Sequence, residues 1–235
     1  MGGLTEDRPK CLLELGGRPL LEWQIAALTA CGVTDISIVT GWRKELLESR
    51  VTTTFHNTRW SETNSVASLA CAEPWLKLGP CIVSYSDIFF PSSAVSGLSE
   101  ARSSISITYD PDWLGLWSRR FDDPLSDAET FDIDAAGKVI EIGGRASSLS
   151  QIKGQYMGLL RFAPDGWNTA TEYIRTLSSA AVNKLDMTAL LRALISRGVA
   201  IGAVAVNGRW GEVDTQSDLE LYEDDLRRGL LKYPP

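Results

Sequence analysis

Helical and strand-like segments alternate along most of this chain, and no other feature of the sequence constrains the fold as strongly. Apolar residues recur at helical spacing from Leu20 to Cys31, and Gly32 ends the predicted helix. A β-branched strand follows at 35–41, and an unbroken apolar strand at 81–85 is typical of a strand buried on both faces. This alternation predicts an α/β fold with a doubly wound, mostly parallel sheet that binds ligands at the carboxyl ends of its strands.

The middle of the chain has a different pattern of predicted secondary structure. Strand-like segments predominate between residues 105 and 160, with a hairpin turn at 134–137, and helices return after Pro164. No repeat or Pro/Ser-rich linker divides the chain. We therefore predict a single domain over residues 1–235, with a small β lobe at 105–160.

Charge and residue content exclude several functions. The net charge of −7 argues against non-specific binding to nucleic acid or to an anionic membrane, because both favour a basic surface. No apolar stretch approaches the ~20 residues of a membrane span. The four cysteines stand without Cys-x-x-Cys spacing, and they predict reduced thiols in a cytoplasmic protein. Since His56 is the single histidine, an enzyme of this composition would use carboxylates, Lys or Arg, and a hard cation such as Mg²⁺.

The segment near the N-terminus carries an ordered set of short motifs: Pro9-Lys10, an apolar run, and Gly17-Arg18-Pro19-Leu20-Leu21. It resembles the entry segment of the nucleotidyltransferase family, which joins a nucleoside triphosphate to a phosphorylated sugar, alcohol or phosphonate. The resemblance implies that Lys10 is catalytic and reaches triphosphate oxygens, with Gly2 and Gly3 as the end of a phosphate-binding loop. An ordinary exposed lysine is the alternative interpretation.

In that family a buried strand and a glycine-rich loop precede the Pro-Lys pair. Met1 falls where the loop would be ending. We therefore expect residues 1–235 to be N-terminally truncated relative to the family, by the strand and most of the loop. Because backbone N–H groups of such a loop bind phosphates, this expectation includes weakened nucleotide binding.

Two aspartates far apart in sequence are the predicted metal ligands. Asp87 follows the apolar strand at 81–85, where an open α/β sheet presents a metal to its ligand. Asp214 lies in a Trp-Gly-Glu-Val-Asp-Thr segment that resembles the family's C-terminal metal-binding box. The resemblance implies that both hold Mg²⁺, which neutralises charge on the phosphoryl oxygens. A loop-capping role is the alternative for Asp87. Asp218 is interpreted as a cap, with Thr215, of a terminal helix predicted from Gln216 to Gly229.

Residues 60–69 narrow the choice of branch within the family. They resemble a segment of the cytidylyltransferases that act on phosphocholine and on phosphonates such as 2-aminoethylphosphonate. The resemblance implies CTP as the nucleotide, with Asn64, Ser65 and Ser68 beside its base. A helix N-cap followed by a core-facing helix, predicted to run from Asn64 to Leu76, explains Asn64 equally well.

The stretch 109–129 concentrates aromatic, basic and acidic side chains. Tryptophan faces suit an ammonium group, arginine suits a phosphate or phosphonate, and carboxylates suit an amine. The stretch also resembles phosphonate-linked cytidylyltransferases. The predicted acceptor-binding residues are Trp113, Trp117, Arg119, Arg120, Asp127 and Glu129, together with Arg145, which falls where the family usually has a lysine. Because the two tryptophans are four residues apart, they could equally form the buried side of a helix.

These motifs together imply a Mg²⁺-dependent cytidylyltransferase. It would join CTP to a phosphorylated amino-alcohol or a phosphonate and release pyrophosphate. The implied fold is Rossmann-like, of the nucleotide-diphospho-sugar transferase type, with the 105–160 lobe on the acceptor side. A sugar-1-phosphate nucleotidyltransferase and a non-catalytic or fragmentary nucleotide-binding relative are the alternatives. The oligomeric state stays open, a homo-oligomer included.

Overall fold

The computed structural model describes residues 5–234. The β-strands of this part of the chain are β1 (Glu14–Leu15), β2 (Arg18–Pro19), β3 (Ser37–Thr40), β4 (Thr53–His56), β5 (Cys81–Ser84), β6 (Ile88–Phe89), β7 (Ile105–Asp110), β8 (Glu129–Ile133), β9 (Val139–Arg145), β10 (Gln155–Phe162), β11 (Ile201–Ala205) and β12 (Gly211–Glu212). The α-helices are α1 (Leu20–Ala30), α2 (Ser65–Ala70), α3 (Glu73–Leu78), α4 (Ser92–Glu100), α5 (Trp113–Arg120), α6 (Pro164–Arg175), α7 (Ser179–Lys184), α8 (Met187–Ser196) and α9 (Gln216–Arg227).

The central sheet has four strands in the order β11-β7-β10-β5. Strand β11 runs parallel to β7, whereas β10 runs antiparallel to both of its neighbours. Strands β3 and β4 form a separate parallel pair. The sheet is therefore mixed, because β10 returns in the opposite direction. The apolar strand at 81–85 was expected to be parallel and buried on both faces; β5 instead pairs antiparallel with β10 and is only partly buried.

Helices cover both faces of the central sheet. On β10 the neighbouring side chains of Leu159 and Leu160 point to opposite faces, and they belong to two different hydrophobic clusters. Helices α6 and α8 pack in the cluster of Leu160, and α4 and α5 pack in that of Leu159. Each of these two leucines is fully buried, and such burial stabilises the fold by about 1.5–3 kcal/mol per side chain.

One predicted helix is interrupted in the structure. The sequence predicted a continuous helix from Asn64 to about Leu76, but α2 ends at Ala70 and α3 begins at Glu73. Pro74 lies in the first turn of α3, where its missing N–H and fixed φ are tolerated; it could not continue an existing helix.

The segment predicted as a lobe contains a hairpin of its own. Strands β8 and β9 pair antiparallel, and β9 packs against α8. Strands β7 and β10, which lie at the two ends of 105–160, belong to the central sheet. The part of this segment outside the central sheet is thus 111–154.

In the described part of the chain, no helix has the length and apolar character that crossing a membrane requires.

Candidate active site

Two very short strands bring the acidic residues of the site together. Strand β6 pairs antiparallel with β12, with Ile88 opposite Glu212, and the N–H of Val213 donates to the carbonyl of Asp87 at 2.9 Å. Gly211 allows this pairing, because a Cβ at that position would collide with the ring of Tyr222. Asp87 therefore lies beside residues that are more than a hundred positions away in sequence.

Three carboxylates converge at this point. Asp87, Glu212 and Asp214 each offer one oxygen, and these oxygens lie within 4.8 Å of one another. All three residues are partly buried. Burial, together with the charges of Asp214 and Asp87, raises the pKa of Glu212 to about 7. The site thus concentrates negative charge in a space that suits a cation.

Lys10 lies between two of these carboxylates. Its Nζ donates to Oδ2 of Asp87 at 2.9 Å and to Oδ1 of Asp214 at 2.8 Å. Burial alone would lower the pKa of Lys10. The charge of Asp87 and the hydrogen bonds to both aspartates outweigh burial, and the pKa of Lys10 is raised above its ordinary value. Lys10 begins a short 3₁₀ turn, Lys10–Leu12, whose Cys11 and Leu12 are buried and anchor the backbone.

Helix α1 supports the loop that carries Asp87. The side chain of Gln24 is buried, and its Nε2 donates to the carbonyls of Tyr85 at 2.9 Å and Ile88 at 2.7 Å. These two carbonyls flank Asp87 in sequence. The position of the carboxylate therefore depends on a polar side chain of the first helix.

Asp87, Glu212 and Asp214 fit a hard divalent cation. Magnesium prefers oxygen ligands, and two of the three side chains belong to the predicted pair. Oδ1 of Asp87 is buried and accepts no hydrogen bond from the described residues, which leaves a charged oxygen free to bind an ion. Asp87 and Asp214 would hold Mg²⁺, with Glu212 as a third oxygen ligand or an outer one.

Arg120 supports the acidic cluster from behind. Its side chain is 0% exposed, and it contacts Asp218 at 2.9 Å, Asp214 Oδ2 at 3.2 Å and Glu212 at 3.5 Å. Asp218 in turn accepts from the backbone N–H groups of Asp214 and Thr215. Asp214 is therefore held through its backbone and through one oxygen, and its other oxygen faces Lys10.

A polar cavity of about 230 Å³ opens next to the carboxylates. The residues that line it are Tyr85, Trp117, Asp127, Glu129, Gln155, Tyr156, Met157, Gly158, Thr188, Glu212 and Asp214. Burial raises the pKa of Glu129, and Trp117 Nε1 donates to Asp127 at 3.1 Å. Trp117, Asp127 and Glu129, all predicted as acceptor-binding residues, thus share one cavity with Asp214.

The other predicted acceptor residues lie elsewhere. Trp113 is buried in helix α5, where its Nε1 donates to the carbonyl of Ile152. Arg119 pairs with Asp225 of α9 at 2.6 Å and lines a different cavity, of about 400 Å³. Arg120 lies behind the carboxylates, as described above. Arg145 is exposed at the end of β9, where it is the ladder partner of Glu129.

Three of the predicted nucleotide-binding residues, Asn64, Ser65 and Ser68, lie at the start of helix α2. Asn64 caps helix α2 through a bond from Ser65 N–H, and its own N–H donates to the carbonyl of Asn183. Ser68 accepts a hydrogen bond from Asn57 at 3.0 Å. These contacts match the capping alternative for Asn64, and its role beside a base stays a prediction. Gly2 and Gly3 lie outside the described residues.

Three functional candidates were missed from the sequence. Glu212 stands two residues before Asp214 in the same motif, so a strand alternation would have placed both side chains on one face. For Gln24, the sequence showed only a polar residue on the apolar face of a predicted helix, which does not indicate a role in the site. The sequence around Tyr156 predicted a strand and gave no sign of a functional role. In the structure, burial raises the pKa of Tyr156 well above its ordinary value and keeps its hydroxyl neutral.

A lysine between carboxylates, beside a polar cavity of an α/β fold, suits the transfer of a phosphoryl-type group. Residues 1–125 match the family model described as the MobA-like NTP transferase domain. The chain therefore belongs to this nucleotidyltransferase family, and the resemblance recognised from Pro9-Lys10 onward is confirmed.

Individual relatives agree with this assignment. The CTP:phosphoglutamine cytidylyltransferase of Campylobacter jejuni is 32% identical over 234 residues, covering 93% of this chain and 92% of that protein. The 2-aminoethylphosphonate cytidylyltransferase of Lancefieldella rimae is 30% identical over 148 residues, covering 61% of this chain and 55% of that protein. The solved structure of the inositol-1-phosphate CTP transferase from T. maritima matches with a TM-score of 0.74 at 18% identity, covering 97% of this chain and 91% of that chain. The predicted fold class is thereby confirmed.

Proposed function

We propose that this protein is a Mg²⁺-dependent cytidylyltransferase that joins CTP to a small phosphorylated amino compound or aminophosphonate and releases pyrophosphate. The observation that carries this proposal is the shared location of Lys10, the carboxylates and the acidic cavity. Relatives named for CTP and for phosphoglutamine and 2-aminoethylphosphonate support the choice of nucleotide and of acceptor class.

The donor side of the site is assigned to Lys10 and the two aspartates. Asp87 and Asp214 would hold the ion, which supplies a positive charge to the phosphoryl oxygens. Lys10 adds a compact charge that can reach triphosphate oxygens. The attacking oxygen belongs to the acceptor's own phosphate or phosphonate, so the chain needs to position the reactants rather than provide a nucleophile.

The acceptor side is assigned to the 230 Å³ cavity. Asp127 and Glu129 give it negative charge that attracts an ammonium group, and the ring of Trp117 borders the same space. Tyr156 also borders this cavity, and burial keeps its hydroxyl neutral, so it adds no negative charge to the acidic lining. Since the lining is acidic, it favours an acceptor with a cationic nitrogen over a neutral sugar 1-phosphate.

Pyrophosphate release over a panel of substrates tests the proposal. The panel combines four nucleoside triphosphates with 2-aminoethylphosphonate, phosphocholine, phosphoglutamine and glucose 1-phosphate, each with Mg²⁺. We expect turnover with CTP and at least one nitrogen-bearing acceptor. Preference for glucose 1-phosphate would instead support a sugar-1-phosphate nucleotidyltransferase. Binding without turnover for every pair would support a non-catalytic relative.

A variant pair tests the acceptor side. Glu129→Gln removes a cavity charge and should raise KM for the nitrogen-bearing acceptor with little change in KM for CTP. Glu141→Gln is the matched control, because Glu141 lies on the adjacent strand β9 but is exposed. Equal acceptor KM values in Glu129→Gln and the unmodified protein would remove Glu129 from acceptor recognition.

A further inference from the structure

The ammonium of Lys10 would lie beside any metal ion that joins Asp214 to Oδ1 of Asp87, which the described residues leave free, because both oxygens of Asp214 already contact a cation: Oδ1 contacts Lys10 and Oδ2 contacts Arg120. The ammonium is within 2.9 Å of an oxygen of Asp87 and 2.8 Å of an oxygen of Asp214. A divalent ion that binds both aspartates must approach the same pair of side chains, at the shorter distance of about 2.1 Å for magnesium. An ion and an ammonium this close together would repel each other strongly.

The two cations that contact Asp214 differ in how firmly they are held. Arg120, on Oδ2, is fully buried and also pairs with Asp218. Lys10, on Oδ1, has a side chain that is 31% exposed. A lysine has a flexible four-carbon stem, whereas the guanidinium of arginine is planar and held as a fork. Lys10 is therefore the contact that can exchange, and Arg120 is the permanent one.

We propose that the Lys10 ammonium and a divalent cation compete for Asp87 and Asp214, so that entry of the cation releases Lys10 from the carboxylates. The buried Cys11 and Leu12 anchor the backbone, so the release is a rotation of the side chain alone. The destination of Lys10, a nucleotide phosphate, rests on the proposed function. The exchange shares with that function only the cation site at Asp87 and Asp214, and it needs neither CTP nor an acceptor.

This exchange couples two events at one site. While no cation is bound, Lys10 neutralises part of the charge of the two aspartates and keeps them in place. Once the cation takes over this role, the lysine becomes available for an anionic ligand. A site with this order of events binds its anion through Lys10 only after the cation has entered, which disfavours unproductive binding of metal-free nucleotide.

The test is a Mn²⁺ titration without nucleotide, in which free Mn²⁺ is measured by electron paramagnetic resonance. Lys10→Met removes the competing ammonium, so it should bind Mn²⁺ at least about tenfold more tightly than the unmodified protein. Lys44→Met is the matched control, because Lys44 forms an exposed ion pair with Glu48, and its affinity should not change. Asp214→Asn should bind Mn²⁺ more weakly. Unchanged or weaker binding by Lys10→Met, or unchanged binding by Asp214→Asn, would overturn the proposal.

If Lys10→Met does not fold, a second measurement on the unmodified protein tests the same exchange. The lysines of the unmodified protein are ¹³C-dimethylated, and the Lys10 signal is identified by its loss in Lys10→Arg. Addition of Mg²⁺ should shift the Lys10 signal while the Lys44 signal stays in place; a Lys10 signal that does not respond would contradict the exchange. Neither measurement uses CTP, so failure of the substrate panel and failure of this inference are separate results.

Discussion

Replacing Arg120 with methionine tests how the acidic site is held together. The substitution keeps much of the side-chain volume but removes a guanidinium that contacts three carboxylates. It also removes cation–π contacts, since the guanidinium carbon lies 5.2 Å from the ring centre of Trp117 and 5.1 Å from that of Phe121. The largest loss falls on Asp218, whose side chain is 3% exposed.

The size of the effect follows from the burial of Asp218. Breaking a buried ion pair by removing one partner costs about 3–5 kcal/mol, because the other charge is left without compensation. For a chain of this size, 1 kcal/mol lowers Tm by roughly 2–4 °C. We therefore expect Arg120→Met to lower Tm by about 6–20 °C. This loss is a large part of the ~5–15 kcal/mol that stabilises a folded domain.

The pH dependence of this loss has a definite sign. Burial raises the pKa of Asp218, but the hydrogen bond and charge of Arg120 outweigh it and hold that pKa below its usual value. An acid with a lowered folded-state pKa contributes stability above its unfolded pKa, near 3.9, and this contribution is lost as pH falls through the folded value. The difference in stability between Arg120→Met and the unmodified protein should therefore be largest near neutral pH and should shrink below about pH 4.

Urea unfolding at several pH values measures both expectations. Arg227→Met is the control, because Arg227 is 72% exposed and its pairing with Asp224 contributes little. Adding Asp218→Asn to Arg120→Met should restore part of the lost stability, since it removes the uncompensated charge. A loss below about 1 kcal/mol in Arg120→Met, or a further loss in the double variant, would refute the reasoning.

Two further predictions concern the residues that position Asp87 and Glu212. Gln24→Met leaves the carbonyls of Tyr85 and Ile88 without their donor. It should therefore lower the free energy of unfolding in urea by about 1–3 kcal/mol and weaken Mn²⁺ binding. An unchanged Mn²⁺ affinity would show that Gln24 does not position the metal site. Gly211→Ala places a methyl group against Tyr222, so it should destabilise the fold by about 1–3 kcal/mol, and the added substitution Tyr222→Leu should relieve part of that loss. Additive losses in the double variant would contradict the proposed collision.

Much of the fold could be predicted from local pattern. The helical spacing after Leu20, the terminal helix after Thr215 and the hairpin at 134–137 all correspond to observed elements. These predictions succeeded because periodicity, caps and turn residues act within a few positions. The direction of β5 could not be predicted, because it depends on β10, which lies over seventy residues later.

The candidate site was predictable in part for the same reason. Lys10, Asp87 and Asp214 were recognised through motifs, and the structure brings their side chains into contact. The burial of Arg120 could not be predicted from the sequence, because it results from the packing of α5 against α9. The spacing of Trp113 and Trp117 was compatible with two interpretations. The structure places both in a helix with buried indoles, and Trp117 alone also borders the cavity.

The most direct test of the central claim is cytidylyl transfer by the unmodified protein, Asp87→Asn and Asp214→Asn. Each is incubated with CTP, saturating Mg²⁺ and the best acceptor of the panel, and ³¹P NMR follows the CDP conjugate and pyrophosphate. We predict both products from the unmodified protein and a turnover at least ~10²-fold lower in each variant, the scale for loss of one preorganised charge-stabilising element. Near-normal turnover in folded Asp87→Asn or Asp214→Asn would contradict the account of this site.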